Sequence, residues 1–328
     1  MSRTRAATMA DVARLAGVST ATVSRVLSGT RAVDPAMAQR VTDAAGRLDY
    51  RINLLGRGLR RTSTSTVGLV LPDLRNPFFS ALGQHLARAF ADSEVDLLLF
   101  SADDSITTEV RGVRSFLGRQ VDALVLIPVH EERSAEAVAL AASSVRTVQL
   151  DRRVPGTAAS YVGVSNRDGV ALVHDHLAAA ADLDAQPVTY VGAVPDSSSA
   201  HERLDAVRRW FGADVDCLLG DFSAAWGREA ASRLLGDGAA AGTLVCAADV
   251  IAAGAVAHLL SAGHRVPDDF RVTGFDGVGA ELTHPSLTTV RQPVEVMAAA
   301  IRDLVVSEED ASARWFEPTL VVGGTSPA

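Results

Sequence analysis

The sequence predicts a small all-α helix-turn-helix domain followed by an α/β domain of two doubly wound parallel-sheet lobes. Between Met9 and Ser28, two short amphipathic helices are separated by a glycine. From Thr66 onward, apolar runs typical of buried strands alternate with amphipathic helices, which is the pattern of parallel sheets covered on both faces. With 328 residues, 48% of them hydrophobic, the chain has enough apolar material for two or three cores.

The helix-turn-helix prediction rests on residues that begin and end helices. Thr8 is suited to cap a first helix, Gly17 to end it in the left-handed conformation, and Ser19 to cap the second. Asp34 and Pro35 together predict the start of a third helix. We expect the three helices to close on a small core, whose predicted members are Val12, Leu15, Val23, Val26, Val41 and Leu48.

The outward face of the second helix carries small hydrogen-bonding groups and one guanidinium. Small side chains allow close approach to the major groove of DNA, and arginine binds guanine O6 and N7 through two parallel hydrogen bonds. The alternative is an ordinary two-helix corner in an all-α domain. The predicted DNA-contacting residues of this helix are Ser19, Thr20, Ala21, Thr22, Ser24 and Arg25.

The charge of the chain is unevenly divided. The whole chain has a formal charge of -8. From Met1 to Arg61 there are 11 arginines against four aspartates, which gives +7 and leaves -15 for the remainder. A basic segment ahead of an acidic body favours a nucleic-acid-binding module joined to a domain with another task. No run reaches the roughly 18 apolar residues of a membrane span, and no signal peptide precedes the body, so we expect a cytoplasmic protein.

Behind a polar run at 62–66, the α/β region begins. Helices are predicted over Asn76–Phe90 and Glu109–Gly118. The predicted strands are Val67–Leu71, Val95–Phe100, Val121–Ile127, Thr147–Leu150, Tyr161–Val164, Pro187–Val191, Thr243–Ala247, Arg271–Phe275 and a last one near 319–322.

Ligands of doubly wound sheets bind beyond the carboxyl ends of the strands, where this sequence places carboxylates, hydroxyls, an arginine and aromatic rings. This mixture suits a polyhydroxylated ligand such as a sugar. The alternative for Ser165, Asn166 and Asp103 is helix capping, and Trp226 is either a pocket wall or lobe packing. The candidates are Asp73, Asn76, Phe78, Phe79, Asp103, Asp104, Asp151, Arg152, Asp196 to Ser199, Phe222, Trp226, Asp249 and Asp276.

No constellation of catalytic residues is recognisable, so we expect no enzyme. All 31 basic residues are arginines, which excludes the lysine of a phosphate-binding loop or a Schiff base. His174 and His176 stand at i and i+2 of a predicted helix and point apart, which excludes a metal site there. Cys217 and Cys246 lie in apolar surroundings and are predicted to be buried free thiols. We expect neither a metal nor a cofactor.

The pattern Val-Ala-x-x-Ala-Gly-Val-Ser-x-x-Thr-Val-Ser-Arg-Val-Leu, here Val12 to Leu27, resembles the DNA-binding headpiece of the LacI/GalR family of transcription factors. The resemblance implies a headpiece over 1–61, with a hinge helix at about 53–60 that forms on operator DNA. It also implies DNA contacts by Asn53, Arg57 and Leu59, the leucine wedging into the minor groove. Gly56 and Gly58 depart from the family pattern and predict a weak hinge helix.

The region 67–328 is similar to the effector domain of the same family, which has the fold of periplasmic sugar-binding proteins. The resemblance implies an N-lobe of about 67–163 and 293–316 and a C-lobe of about 164–291 and 317–328. A departure is Ala248, which stands before Asp249 where asparagine is common. The residues implied to contact the effector are Phe78, Phe79, Asp151, Ser197, Ser199, Arg203, Phe222, Asp249 and Asp276.

The function expected from the sequence is a ligand-responsive repressor of carbohydrate-utilisation genes that binds a pseudo-palindromic operator as a homodimer. Effector binding in the cleft is expected to bias the arrangement of the lobes and through it the affinity for DNA. Two alternatives stay open: an effector of the nucleoside, purine or phosphorylated type, and a DNA binder with a vestigial pocket.

Overall fold

The computed structural model describes residues 7–28, 33–50, 64–91, 93–180, 186–279, 283–306 and 310–327. The chain divides into two compact units, residues 1–64 and 65–328. The hinge helix predicted at about 53–60, with Asn53, Arg57 and Leu59, lies outside the described residues.

The first unit contains three helices, α1 (Met9–Ala16), α2 (Thr20–Ser28) and α3 (Pro35–Arg47). The predicted caps are confirmed. The backbone N–H of Asp11 donates to Thr8 Oγ1 at 3.3 Å, while Thr8 N–H donates to the Asp11 carboxylate at 3.0 Å, which completes a capping box. Gly17 ends α1 at a φ of 64°, and Asp34 accepts a hydrogen bond from Met37 N–H.

The core of this unit is small, and it differs from the prediction at Leu15. Val12, Val23 and Val41 are fully buried, with Ala44 beside them. Leu15, in contrast, is 49% exposed. At 100° per residue, Leu15 points about 60° away from Val12, on the side opposite to the buried Ala13, so the stripe that faces α2 and α3 excludes it.

The second unit is built from two six-stranded sheets, each covered by helices. The first sheet has the order β11-β5-β4-β3-β1-β2, and all its strands are parallel. It is the sheet of the N-lobe. Its strands are β1 (Thr66–Leu71), β2 (Asp96–Ser101), β3 (Ala123–Leu126), β4 (Arg146–Leu150), β5 (Ser160–Val164) and β11 (Ala313–Phe316).

The second sheet forms the C-lobe with the order β12-β10-β9-β8-β6-β7. Its strands are parallel except β12, which runs antiparallel to β10. Its strands are β6 (Val188–Ala193), β7 (Asp216–Gly220), β8 (Gly242–Cys246), β9 (Phe270–Asp276), β10 (Thr288–Arg291) and β12 (Thr319–Val321). Strands β7, β10 and β11 were not among the predicted strands.

The helices of the second unit pack on the faces of these sheets, as the doubly wound prediction requires. Helices α4, α5, α6 and α11 cover the N-lobe, and α7 to α10 cover the C-lobe. Their bounds are α4 (Pro77–Ala91), α5 (Ile106–Gly118), α6 (Ala135–Ala142), α7 (Asn166–Ala180), α8 (Ser198–Phe211), α9 (Ala224–Gly236), α10 (Asp249–Ser261) and α11 (Val294–Val306).

The chain passes between the lobes three times, from β5 to α7, from β10 to α11 and from β11 to β12. Helix α11 returns to the N-lobe and buries Met297, Ile301 and Leu304 against it. Both lobes are therefore assembled from segments that are distant in the sequence.

Helices α9 and α10 approach each other on two glycines. A Cβ atom on Gly227 would lie 2.0 Å from the carbonyl oxygen of Ile251, and one on Gly254 would lie 2.1 Å from that of Ala224. The backbones touch at this crossing, so only glycine fits at either position. None of the described helices is long and apolar enough to cross a membrane.

Candidate functional site

Helix α2 presents the surface predicted to contact DNA. Thr20, Ala21 and Arg25 are exposed, and Val23 on the inner face anchors the helix in the core. Ser19 is exposed and caps α2, because its Oγ accepts the Thr22 N–H at 3.1 Å. The capping prediction for Ser19 is thus confirmed, while Thr22 and Ser24 are half-buried at the edges of the surface.

A cavity of about 250 Å³ lies between the two lobes, at the carboxyl ends of β1, β2, β6 and β7. Its N-lobe and C-lobe walls touch at the rim: Glu131 N–H donates to the Asp196 carbonyl at 2.7 Å, and Arg153 N–H donates to Ser198 Oγ at 2.9 Å. The lining residues are Asp73, Asn76, Phe79, Asp104, Ile106, Val129, His130, Arg133, Arg152, Ala193, Val194, Asp196, Ser197, Gly220, Asp221 and Phe222.

The aromatic walls of this cavity are Phe79 from α4 and Phe222 from the loop after β7. The guanidinium carbon of Arg152 lies 5.2 Å from the centroid of Phe79 and 5.1 Å from that of Phe222, so the cation sits against both rings. Arg152 is only 5% exposed, and burial lowers its pKa. The sequence predicts Arg152 as one of the polar residues at the strand ends, but the family resemblance does not include it among the effector contacts.

A buried charged cluster centred on Arg203 lies in the C-lobe. Arg203 Nε donates to Asn166 Oδ1 at 2.8 Å, Nη1 donates to the Ala247 carbonyl at 2.7 Å, and Nη1 is 3.7 Å from Asp276 Oδ1. The guanidinium carbon stands 3.7 Å from the centre of the Phe275 ring. Arg203 is therefore held by protein groups on its edge and by an aromatic ring on its face.

Three buried carboxyl groups surround this arginine. Burial raises the pKa of Asp249 to about 7, against hydrogen bonds from Thr289 and Val278 N–H that favour the charged form. Burial also raises the pKa of Asp276 and Asp151, while the Arg203 charge opposes the rise at both. The cluster thus holds more carboxylates than Arg203 alone can neutralise.

Because the pKa of Asp249 is raised, the stability of the protein should fall as the pH rises. The folded state holds a proton that the unfolded state releases above about pH 4, so the stabilisation present below that pH is lost up to about pH 7. The expected slope is up to about 1.4 kcal/mol per pH unit for each such group. Urea unfolding of the wild type and of Asp249→Asn at pH 5 and pH 8 measures it.

The Asp249→Asn variant cannot take up or release this proton, so its stability relative to the wild type should rise between pH 5 and pH 8. Asp214→Asn is the matched control at an exposed position. A constant difference between Asp249→Asn and the wild type over this range would contradict the prediction.

The structure brings the predicted effector residues to two neighbouring places. Phe79, Ser197 and Phe222 line the cavity, and Asp151, Arg203, Asp249 and Asp276 belong to or adjoin the buried cluster. The other six predicted effector residues do not line the cavity: Phe78, Asp151, Ser199, Arg203, Asp249 and Asp276. Phe78 is buried in the lobe core because successive helical residues point about 100° apart, so that only Phe79 faces the cleft. Ser199 is buried beside Ser197.

Two of the capping alternatives are wrong. Ser165 does cap α7, since its Oγ accepts the Asp168 N–H at 3.3 Å. Asn166 instead binds Arg203 and the Glu202 carboxylate with its side-chain amide. Asp103 is not a cap because Ser105, two residues later, caps α5.

The exposed Asp103 pairs with Arg75 at 3.1 Å. Trp226 packs inside the C-lobe, where its Nε1–H donates to the Gly192 carbonyl at 2.9 Å, and it does not line the cavity. Cys246 is buried and Cys217 half-buried, and both are free thiols. Within the described ranges no group of three His, Cys, Asp or Glu side chains is placed to hold a metal ion.

A helix-turn-helix with an exposed polar recognition surface, followed by a two-lobed α/β body with an aromatic-walled cleft, defines a DNA-binding regulator with a ligand-binding domain. Residues 8–53 match the model of bacterial regulatory proteins of the lacI family, and residues 67–284 match the periplasmic binding protein domain. The chain belongs to the LacI family of bacterial transcriptional regulators.

Relatives and solved structures agree with this assignment. Catabolite control protein A of Streptococcus mutans is 30% identical over 303 residues, which is 90% of both chains. The regulator GalR of Escherichia coli is 30% identical over 332 residues, covering 96% of this chain and 94% of its own. The lac repressor dimer bound to operator has the same fold, with a TM-score of 0.85, 22% identity and coverage of 99% and 100%.

Proposed function

We propose that this protein is a repressor that binds a pseudo-palindromic operator as a homodimer and is controlled by a neutral, polyhydroxylated effector, a sugar or a sugar derivative. The observation that carries the effector proposal is the cleft cavity, in which Phe79 and Phe222 provide two aromatic faces among carboxylate and hydroxyl groups. Aromatic faces bind the apolar side of a sugar ring, and carboxylates accept hydrogen bonds from its hydroxyls.

The charges of the cavity favour a neutral effector over a phosphorylated one. Four aspartates line it against the two arginines Arg133 and Arg152, and the Arg152 guanidinium already lies over the rings of Phe79 and Phe222. Asp104, Asp196 and Asp221 are exposed to the cavity side and would repel a phosphate group. The hydroxyl groups of a neutral effector, in contrast, can donate hydrogen bonds to these same carboxylates.

Names of related proteins support the same class of effector. One relative, 28% identical over 329 residues, is the ribose operon repressor of Escherichia coli, and one solved structure, 25% identical, is the regulator CelR in complex with cellobiose. We propose that effector binding shifts the relative arrangement of the two lobes, which the rim contacts hold together, and thereby changes operator affinity. Because the proposed operator is DNA, we propose that the protein works in the cytoplasm.

A thermal-shift screen combined with DNA binding tests the proposal. Ribose, galactose, cellobiose, nucleosides and sugar phosphates are added to the purified protein, and hits are assayed on duplexes selected from a randomised pool. We expect a neutral sugar to raise the melting temperature and to change operator affinity. A hit only among sugar phosphates or nucleosides would overturn the neutral-sugar proposal, and no hit in a broad panel would favour a vestigial pocket.

The selected duplexes also test the DNA-binding half of the proposal. We expect an inverted repeat, and Arg25→Ala should lose about 1–3 kcal/mol of binding free energy at one base pair in each half-site. Arg14→Ala on α1 removes the same charge from the outer surface of the unit and is the matched control. Equal losses in Arg25→Ala over all sequences would show that Arg25 contacts phosphate, and an asymmetric site would contradict a dimer.

A further inference from the structure

Arg152 is a buried cation with an unusual set of neighbours. Its guanidinium carbon lies over the ring of Phe79 of the N-lobe and over the ring of Phe222 of the C-lobe, 5.2 and 5.1 Å from the two centroids. Its Nε is buried without a hydrogen-bond partner among the described residues, and the nearest Asp151 carboxylate oxygen is 3.9 Å away. The two aromatic faces are therefore a main part of what holds this charge in place.

The slot between the two rings belongs to the cleft cavity. Phe79, Phe222 and Arg152 all line that cavity, and the two rings come from different lobes. A guanidinium that lies over both aromatic faces takes up the place in which the ring of an effector would stack on them. In this closed arrangement a ligand and the Arg152 guanidinium cannot both lie between the rings.

We propose that Arg152 is a built-in occupant of the effector site, which fills the slot between Phe79 and Phe222 in the ligand-free protein and is displaced when an effector stacks there. This inference rests on the proposed function, because it takes the cleft to be the effector site. Asp104 and Asp151 carry the opposite charge close by and are the groups to which the displaced guanidinium turns. Position 152 then sets the effector affinity, because only the fraction of molecules with an open slot can bind.

The neighbouring Arg153 provides a comparison within the same loop. Its guanidinium stacks on Tyr161 and Trp315 at 5.7 and 4.9 Å, both in the N-lobe sheet, and Nη2 donates to Glu202 at 3.0 Å. Arg153 does not line the cleft cavity. Its replacement removes an arginine stacked on two aromatic rings, as at 152, while leaving the slot filled.

The slot itself is tested with Arg152→Ala and the guanidinium ion as the probe. At low millimolar guanidinium chloride, we expect a saturable rise in the melting temperature of Arg152→Ala, since the free ion refills the space between the rings. The wild type, Arg153→Ala and the double variant Arg152→Ala/Phe222→Ala should show no such rise, and sodium chloride at equal concentration controls for ionic strength. If the melting temperatures of all four proteins change linearly and equally with guanidinium concentration, the proposal that Arg152 fills the slot is wrong.

Competition with an effector is tested by titrating ribose, galactose and cellobiose into the wild type and the variants. We expect Arg152→Ala to bind the active sugar about 10-fold more tightly or better, as two cation–π contacts no longer compete. Arg153→Ala should bind like the wild type. Arg152→Lys keeps the charge and loses the flat guanidinium, and it should also bind the active sugar more tightly than the wild type. It replaces Arg152→Ala in this experiment if the alanine variant does not fold.

The two proposals fail in distinguishable ways. If no sugar binds any variant while guanidinium still refills the slot of Arg152→Ala, the sugar effector is wrong and the occupied slot stands. If a sugar binds the wild type and both Arg152 variants with equal affinity, the effector proposal stands and the displacement of Arg152 is overturned.

Discussion

Replacing Arg203 with methionine should lower the free energy of unfolding by about 3–5 kcal/mol. The variant keeps most of the volume of the side chain and removes the charge that faces Asp276 and Asp249 of the C-lobe and Asp151 of the N-lobe. It also leaves Asn166 Oδ1 and the Ala247 carbonyl without their donors. Removing one member of a buried charged network costs more than the interaction itself, because the partners stay buried without compensation.

The loss should depend on pH in a way that a simple packing defect would not. Arg203 lowers the pKa of Asp151 and Asp276 against the effect of burial, so its removal raises both further. The carboxylates of the variant become neutral at a higher pH, and the stability gap to the wild type should therefore be smaller at pH 5 than at pH 8. Urea unfolding at both values measures the gap.

Arg209→Met is the matched control, since Arg209 lies exposed on the same helix α8. We expect its stability to stay within about 0.5 kcal/mol of the wild type. If Arg203→Met unfolds no more readily than Arg209→Met, or if its deficit is the same at pH 5 and pH 8, the cluster does not depend on Arg203 for its charge balance.

Alanine at Gly254 should destabilise the second unit by about 2–4 kcal/mol, although alanine is the better helix former. The added Cβ would lie 2.1 Å from the Ala224 carbonyl oxygen, and backbone cannot rotate out of the way as a side chain can. Gly227→Ala, which meets the Ile251 carbonyl oxygen at 2.0 Å, should have a similar effect. Helices α9 and α10 must move apart in either variant.

The control for this pair is Gly236→Ala, in the last turn of α9, where an added Cβ meets no atom within 4 Å. Its stability should be unchanged or higher by up to about 1 kcal/mol. Chemical unfolding of the three variants measures the difference. If Gly254→Ala and Gly236→Ala have the same stability, helices α9 and α10 accommodate the added Cβ without loss of stability.

The Gly254→Ala and Gly227→Ala variants should also bind sugar more weakly, because Phe222 precedes α9 and Asp249 begins α10.

The class of the fold and most of its strands were predictable because the signals are local. Runs such as Val67–Leu71 and Thr147–Leu150 are apolar throughout, as strands covered on both faces are. Strand β10 gave no such signal because its Thr288 and Thr289 are polar by composition and yet fully buried. Their hydroxyls bind the Gly323 and Ser326 carbonyls and the Asp249 carboxylate, which come from remote parts of the chain.

Candidate site residues were predictable as types, whereas their roles depend on contacts between lobes. From its residue type alone, an arginine is expected to be exposed, because charged side chains are almost never fully buried without a partner. Arg152 is buried because Phe79 and Phe222, which are 143 positions apart, close on it from two lobes. Asn166 was predicted to be a cap because the sequence around it gives no sign of its partner Arg203, which lies on another helix.

The three passages of the chain between the lobes also bear on how the protein is made. During synthesis, β1 to β5 emerge first, but helix α11 and strand β11 of the N-lobe follow only after β6 to β10 of the C-lobe. Until then, the surface of the N-lobe that Met297, Ile301 and Leu304 cover is open to solvent. The nascent N-lobe therefore stays incomplete while the C-lobe is being translated, and the two lobes reach their native cores nearly together. During that interval the chain exposes apolar surface that the native fold covers, and it is then most prone to aggregate.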